Sequence, residues 1–490
     1  MNKVVTKTAQ HKWLILIIIL AAVLRVYNLD FQSMWLDELF TMAVTNPDLT
    51  WSQFHKEIVT RESFPFLYFI IVKGFYFLFG YSSLVARMVS VLAGIFGVYA
   101  AYLLGKKIHT KQVGLFASLF VAVSNYHIYI SQDARAYSLY FLFVCLSFYT
   151  LLIYIKRPTW KHVLLYALTT GFLVNFNFFA PINVVSQGLI LLFLLFLLPK
   201  NKRIAFIQKG AVAAFIIFGA FIVNYQKLKV LLNYKKFWTP APQDDSLAKI
   251  FKNFFGNSEI LLALITPFIV YYLFLILKNK EPRKWTYNKV IKNKLFFGFL
   301  VLFTWFFVLF SYLAVKSYGP ISYLLTRYFV SVLPVIFICV AIAIASIKGT
   351  VGKGIAVFVM VFFMMAHLFV VKKQYTTITH AQYRDAATFV KTNNTQNAPT
   401  YSNQEYWYKF YFRPDQTKIK LKDLSLNNIY LQLKKYPSKM TSFWYIDAFK
   451  RFDSVNKPTS EFLNKHFVIK KQYKGYRAWA TYYELKKQSR

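Results

Sequence analysis

Long apolar runs recur along this chain, and they leave few folds open to it. A helix needs about 20 apolar residues to cross the hydrocarbon of a bilayer. Stretches of that kind lie near residues 13–28, 84–104, 112–131, 137–155, 162–180, 182–199, 206–225, 260–278, 294–315, 327–346 and 353–372. With 57% hydrophobic residues over a length of 490, the pattern marks a mostly α, polytopic membrane protein rather than one large soluble core. About eleven transmembrane helices are expected.

The formal net charge is +40. Its lysines and arginines collect in short clusters between the apolar runs, as in "GKKIHTK", "IKRPTWK", "PKNKR" and "KNKEPRK". Basic loops of this kind stay on the cytoplasmic side and suit anionic lipid headgroups, so membrane lipids rather than nucleic acid are the partners that the charge implies. Cys145 and Cys339 both lie inside apolar runs, with no metal-ligand spacing and no disulfide framework. The N-terminal "MNKVVTKTAQHKW", followed by "LILIIILAAVL", reads as an uncleaved signal anchor.

One apolar stretch, "FPFLYFIIVKGFYFLFG" (Phe64 to Gly80), is short, starts at a proline and carries Lys73. Treating it as a helix dipping into the outer leaflet returns the basic clusters to the cytoplasm. The N-terminus is then inside and the C-terminus outside, in a multi-pass protein of the cytoplasmic (inner) membrane. The loop "YQKLKVLLNYKKFW" resists this threading, because it is basic yet falls outside. Lys235 and Lys236 are its candidates for contact with an anionic substrate group, and a helix lying on the headgroups is the competing explanation. Two domains follow: a membrane catalytic domain over 1–372 and an external α/β domain over 373–490. In the latter, "AQYRDAATFVKTNN" has a helical rhythm, "APTYSNQ" leads from a strand into a loop, and "YRAWATYYEL" alternates like a strand.

Acidic residues avoid the predicted spans. Asp37, Glu38 and Glu62 fall in the first external loop, and Asp133 falls in the second, within "YISQDARAYSLY". An ion-coupled transporter is expected to carry ionisable groups near the bilayer midplane. Acids gathered at one surface suit a site that meets a water-soluble substrate on one side and lipid on the other. Adjacent helical residues point about 100° apart, so only one of Asp37 and Glu38 faces a given pocket. Ser63 and Arg135, beside these acids, are candidate substrate contacts. Arg327 and Tyr328, in "LLTRYFVSVLP", sit where a span begins. A divalent metal ion held by Asp133 and Glu62 is the one cofactor considered.

The ordered segments "MWLDELFT", "SFPFLYF…LFGYSSLVARMVSVLAGIFGVYAAYLLGKKI" and "GLFASLFVAVSNYHIYISQDARAYSLYFL" carry a family resemblance. They look like the N-terminal core of the GT-C class of membrane glycosyltransferases. The resemblance is nearest to the bacterial family grouped with protein O-mannosyltransferases and the lipid A aminoarabinose transferase. It preserves order through roughly residues 10–180 and resumes at "TRYFVSVLP" and "QYRDAATFVKTN". It implies transfer of a sugar from a polyprenyl-phosphate donor to an envelope glycan, lipid or protein acceptor at the outer face, with inversion. It also implies that Asp37 is the catalytic acid of the first loop, with Glu38 beside it and Asp133 as the acid of the second. Relatives commonly carry a polar or basic residue and two prolines where this chain has "ESFPF". Arg61 and Lys73 are the candidate cations to replace the missing charge.

The chemistry agrees with this. A hydroxyl acceptor needs a general base, which contributes about 10²–10⁴-fold. The leaving lipid phosphate gains charge that an arginine such as Arg327 is shaped to stabilise. The competing readings are a lipid or polysaccharide transporter and a noncatalytic glycolipid-binding scaffold.

Overall fold

The computed structural model describes residues 2–233, 239–279, 285–449 and 455–486. Helices dominate. They run in the order α1 (Asn2–Val26), α2 (Leu36–Val44), α3 (Trp51–Arg61), α4 (Phe66–Phe79), α5 (Ser83–Ile108), α6 (Lys111–Val123), α7 (Asn125–Ser131) and α8 (Tyr137–Lys156). The chain continues through α9 (Trp160–Leu173), α10 (Ala180–Leu197), α11 (Lys200–Ile222), α12 (Tyr225–Leu232), α13 (Ser246–Phe254), α14 (Glu259–Leu277), α15 (Tyr287–Lys292) and α16 (Lys294–Ser317). A 3-10 segment, Thr326–Val332, leads into α17 (Leu333–Ser346), and α18 (Thr350–Ala366) ends in a π-helical turn. Contacts divide the chain into two units: Met1–Tyr27 with Pro47–Tyr375, and Asn28–Asn46 with Thr376–Arg490. The sequence boundary after residue 372 lies close to the second junction, whereas Asn28–Asn46 groups with the C-terminal residues.

In the first unit, 8 helices are long and apolar enough to cross a membrane, or 9 with the bent pair α6–α7, among the described residues. The expected count of about eleven also included α1 and a span at 162–180. The latter resolves into the 14 residues of α9, a turn, and the start of α10. At 1.5 Å per residue α9 rises about 21 Å, short of the roughly 30 Å hydrocarbon. Helix α4 also has 14 residues, in line with its reading as a helix too short to cross.

Small residues on α5 bring its neighbours close, as membrane helices require where no hydrophobic effect drives association. A Cβ at Gly114 of α6 would lie 2.5 Å from the Tyr102 carbonyl oxygen of α5, and one at Gly94 would run into the Ser131 hydroxyl of α7. Helices α6 and α7 meet at a 65° bend, where the Ser124 hydroxyl caps α7 by accepting from His127 N at 3.3 Å. The carbonyls released at the bend are not left bare. Fully buried Arg25 of α1 donates to Val121 O at 3.1 Å and Ala122 O at 3.0 Å, and its guanidinium lies 2.7 Å from His127 Nδ1. The remaining buried polar groups between helices are largely neutral. Trp305 donates to Asn183, which donates to Tyr140, each at 2.8 Å. Tyr166 donates to Gln187 at 2.9 Å, and Gln187 donates to Ser147 at 2.7 Å.

The second unit holds a five-stranded sheet in the order β2-β1-β3-β5-β4. Strand β1 (Thr400–Ser402) runs parallel to β2 (Leu421–Asp423) and to β3 (Ser442–Ala448). Strands β4 (Phe467–Gly475) and β5 (Ala478–Leu485) complete it antiparallel. Helices α19 (Tyr383–Asn393), α20 (Glu405–Tyr408), α21 (Leu426–Leu433) and α22 (Lys457–His466) flank the strands. Phe443, Tyr445, Trp479 and Tyr483 form the core with Ile429 and Leu463. The helix, short strand and alternating strand expected from the tail sequence are α19, β1 and β5.

Candidate active site

The candidate acids fall in both units. Asp37 and Glu38 open α2 in the second unit, while Glu62, Asp133 and Arg135 belong to the first.

Within the second unit, the first turn of α2 separates the two adjacent carboxylates. Glu38 is fully buried, and its Oε2 accepts from Trp35 N at 3.3 Å, so it closes the helix start from the N3 position. Asp37, half-buried, points about 100° away from it. The segment carrying them is held by the C-terminal residues. Arg384 donates to Asp30 O at 2.6 Å, Asp30 Oδ2 at 3.0 Å and Phe31 O at 2.9 Å, and its backbone N–H donates to Ser33 Oγ at 3.0 Å. Gln32 Nε2 donates to Thr377 O at 2.6 Å, and its Oε1 accepts from Thr379 N at 3.1 Å. Phe40 packs edge-on against Trp407 with ring centroids 4.1 Å apart.

Within the first unit, Glu62 and Arg135 form a buried two-point ion pair, both N–O distances being 3.0 Å. Phe64 supplies a floor for it: the Arg135 guanidinium carbon lies 4.8 Å from the Phe64 ring centroid. This accounts for the aromatic residue in "ESFPF" as a platform for a cation rather than a source of charge. The loop is fixed further by Arg135 N donating to Asp133 O at 2.7 Å and Ser90 Oγ donating to Arg135 O at 3.0 Å. Buried Asp133 therefore sits on a turn anchored on both sides. Asp133 and Arg327 both lie within electrostatic reach of Tyr126, so two of the sequence candidates share one neighbourhood. Arg327 is half-buried in the 3-10 segment, over the ring of Tyr328 at 5.9 Å; Tyr328 in turn packs 4.8 Å from Phe179. Ser63 is exposed. Lys235 and Lys236 lie outside the described residues.

Neither cation offered in place of the missing basic residue is idle. Arg61 pairs with Glu57 at 2.9 Å, and Lys73 donates to Leu49 O at 3.4 Å. A second buried cation of this region, in addition to Arg135, is Lys227, a residue of the basic loop that the sequence singled out only farther along. It is 0% exposed and donates to Val59 O at 2.9 Å. Burial pushes its ammonium down to about 8, with the Glu62 carboxylate opposing that shift. Next to it, Asn224 accepts from Phe66 N at 3.3 Å and donates to Asn175 at 2.7 Å, tying the start of α4 to the turn after α9.

Both oxygens of Glu62, one of the two residues considered for a metal ion, accept from Arg135, and no group of three or more His, Cys, Asp or Glu is placed to bind one among the described residues.

The family model "Dolichyl-phosphate-mannose-protein mannosyltransferase" matches residues 63–223. No curated protein sequence matches the chain significantly. Solved structures share its fold. ArnT from Cupriavidus metallidurans in the apo state is 12% identical with a TM-score of 0.59, covering 97% of this chain and 98% of ArnT. ArnT bound to undecaprenyl phosphate is 12% identical with a TM-score of 0.57, covering 96% and 98%. The oligosaccharyltransferase AglB from Archaeoglobus fulgidus, with an inhibitory peptide and a dolichol-phosphate, is 10% identical with a TM-score of 0.57, covering 97% and 74%. The chain thus has the GT-C fold that its sequence resemblance implied.

Proposed function

We propose that this chain is an integral membrane glycosyltransferase that moves a sugar from a polyprenyl-phosphate donor to an acceptor at the outer face of the cytoplasmic membrane. The observation that carries the reading is the fold match across nearly the whole of both chains to ArnT, a protein solved with undecaprenyl phosphate. The mannosyltransferase family model over residues 63–223 supports it independently. In this reading the Asp37 carboxylate takes the acceptor proton, and the acceptor oxygen attacks the anomeric carbon. The bond from that carbon to the phosphate oxygen breaks, and polyprenyl phosphate leaves with the bonding pair. One displacement inverts the anomeric centre. Arg327 stabilises the departing phosphate, and Asp133 orients the sugar. No step is assigned to a metal ion.

Polar contacts among the membrane helices favour this over transport. The Trp305–Asn183–Tyr140 and Tyr166–Gln187–Ser147 chains contain no acid or lysine, and the buried Arg25 is committed to backbone carbonyls of α6, whereas coupled transporters place ionisable groups on the substrate or ion path. The test is purified protein in lipid nanodiscs with a mixture of polyprenyl-phosphate sugars, followed for release of free polyprenyl phosphate. Release that depends on acceptor is expected. Flipping or export of the intact donor without release would instead support the transporter.

A further inference from the structure

Helices α1, α6 and α18 line an open groove of about 740 Å³ within the first unit. One end is amphipathic, formed by Trp13, Gln112, Thr350 and Lys353. The rest is apolar, lined by residues such as Ile17, Leu119, Phe358 and Val361. On both α6 and α18 the lining changes from polar to apolar with residue number, from Gln112 to Leu119 and from Thr350 to Val361. The three helices carry charge of one sign. Lys12 and Lys111 adjoin the lining residues Trp13 and Gln112 in sequence, Lys348 lies two residues before Thr350, and α1, α6 and α18 contain no Asp or Glu.

The dimensions match one leaflet. The lining on α18 runs from Thr350 to Val361, about 16 Å at 1.5 Å per residue, against roughly 15 Å for half of the hydrocarbon core. We infer that this groove holds one anionic phospholipid of the leaflet on the lysine-rich side, its headgroup at Lys353 and an acyl chain lying along α18. A lysine at the edge selects the headgroup by charge, and Trp13 is the kind of ring that settles at the headgroup level. None of the acids of the proposed transfer chemistry lines the groove. A zwitterionic lipid lacks the net charge to match the lysines, and the polyprenyl tail of the donor is the rival occupant.

The experiment uses the full chain in nanodiscs with equal phosphatidylglycerol and phosphatidylcholine, ejected for native mass spectrometry. One phosphatidylglycerol should stay bound in about fivefold preference, the factor that ~1 kcal/mol per lysine near an anionic surface gives. Lys353→Glu should abolish the preference. Gly354 lines the groove, and a Cβ there meets nothing within 4 Å, so Gly354→Leu should fill the space and reduce retention of both lipids with thermal stability unchanged. Equal retention of the two lipids, an unchanged preference in Lys353→Glu, or displacement of the lipid by added polyprenyl phosphate would each overturn the assignment. Because the readout is lipid retention, its failure leaves sugar transfer untouched, and failure of sugar transfer leaves it standing.

Discussion

Glu62 and Arg135, 73 residues apart in sequence, meet as a buried fork-to-fork ion pair with both N–O distances at 3.0 Å. The pair joins the loop after α3 to the turn carrying Asp133, so two loops of the first unit move as one. Desolvating two charges costs about as much as their attraction returns, yet removing one partner strands the other at roughly 3–5 kcal/mol. Glu62→Gln and Arg135→Gln are each expected to lower thermal stability in detergent by that order. Their double variant should lose clearly less than the sum. Strict additivity of the two losses would show that the pair is not energetically coupled.

The two acids that open α2 are expected to behave differently. Glu38 is committed to the helix start through Trp35 N, and glutamine accepts the same hydrogen bond. Glu38→Gln should therefore retain fold and most activity, while Glu38→Ala loses about 1 kcal/mol of stability. Asp37→Asn should fold normally and lose about 10²–10⁴-fold in kcat, the worth of a general base. Full turnover by folded Asp37→Asn removes Asp37 from the mechanism.

Arg384 acts as a positioning residue. It holds the carbonyls of Asp30 and Phe31 as well as the Asp30 carboxylate, just ahead of the turn that carries Asp37. Arg384→Ala should cut kcat roughly 10–100-fold, the scale of a displacement of about 1 Å at a reacting group, with donor KM little changed. Arg384→Lys should recover part of the loss. Limited proteolysis after Phe31 separates the outcomes: unchanged protection in Arg384→Ala would mean that the segment is held by other contacts.

The span positions were legible because length and continuous apolarity are local properties, and α5, α8 and α14 begin and end within a few residues of where the sequence put them. The same holds for α19 and β5, whose periods are visible in ten residues. The roles of the charged groups were not legible in that way. Arg25 reads like any arginine at the end of an apolar run, ready to reach the headgroups, and nothing local announces that the carbonyls it serves lie 96 and 97 residues away. Lys227 was hidden among the other lysines of one basic loop, since only burial against the end of α3 distinguishes it. The split between Asp37 and Glu38 turned on a single backbone N–H. The family pattern drew attention to the acids and to a polar or basic residue that relatives commonly carry near Phe64, where this chain instead places an aromatic floor beneath Arg135.

Burial of Lys227 gives the protein a pH dependence whose expected sign follows from linkage. Its folded-state value is lowered from 10.5 to about 8, first by burial and against the pull of Glu62. Between those values the unfolded chain binds the proton and the folded chain does not, so stability rises with pH across that window. The burial cost is present in full below pH 8 and is relieved toward pH 10.5. Melting temperatures of the wild type relative to Lys227→Met should therefore climb from pH 7.5 to pH 10. A flat or falling difference would mean that Lys227 keeps its charge in the folded protein.

Arg25 makes the bend between α6 and α7 tolerable. In hydrocarbon an unsatisfied backbone carbonyl has no water to turn to, and Arg25 serves Val121 O and Ala122 O with two different nitrogens. Arg25→Ala would strip Ala122 O of its donor at about 1–3 kcal/mol, leave Val121 O only the 3.4 Å contact from Ser124 N, and remove the neighbour of His127. Arg25→Lys offers a single ammonium in place of a planar fork and cannot span both carbonyls in the same geometry. The expected order of thermal stability is wild type, then Arg25→Lys, then Arg25→Ala. Because α7 leads directly into the turn bearing Asp133, transfer activity should fall in the same order. An Arg25→Ala protein as stable and as active as wild type would mean that the bend is held by the Ser124 cap and its packing alone.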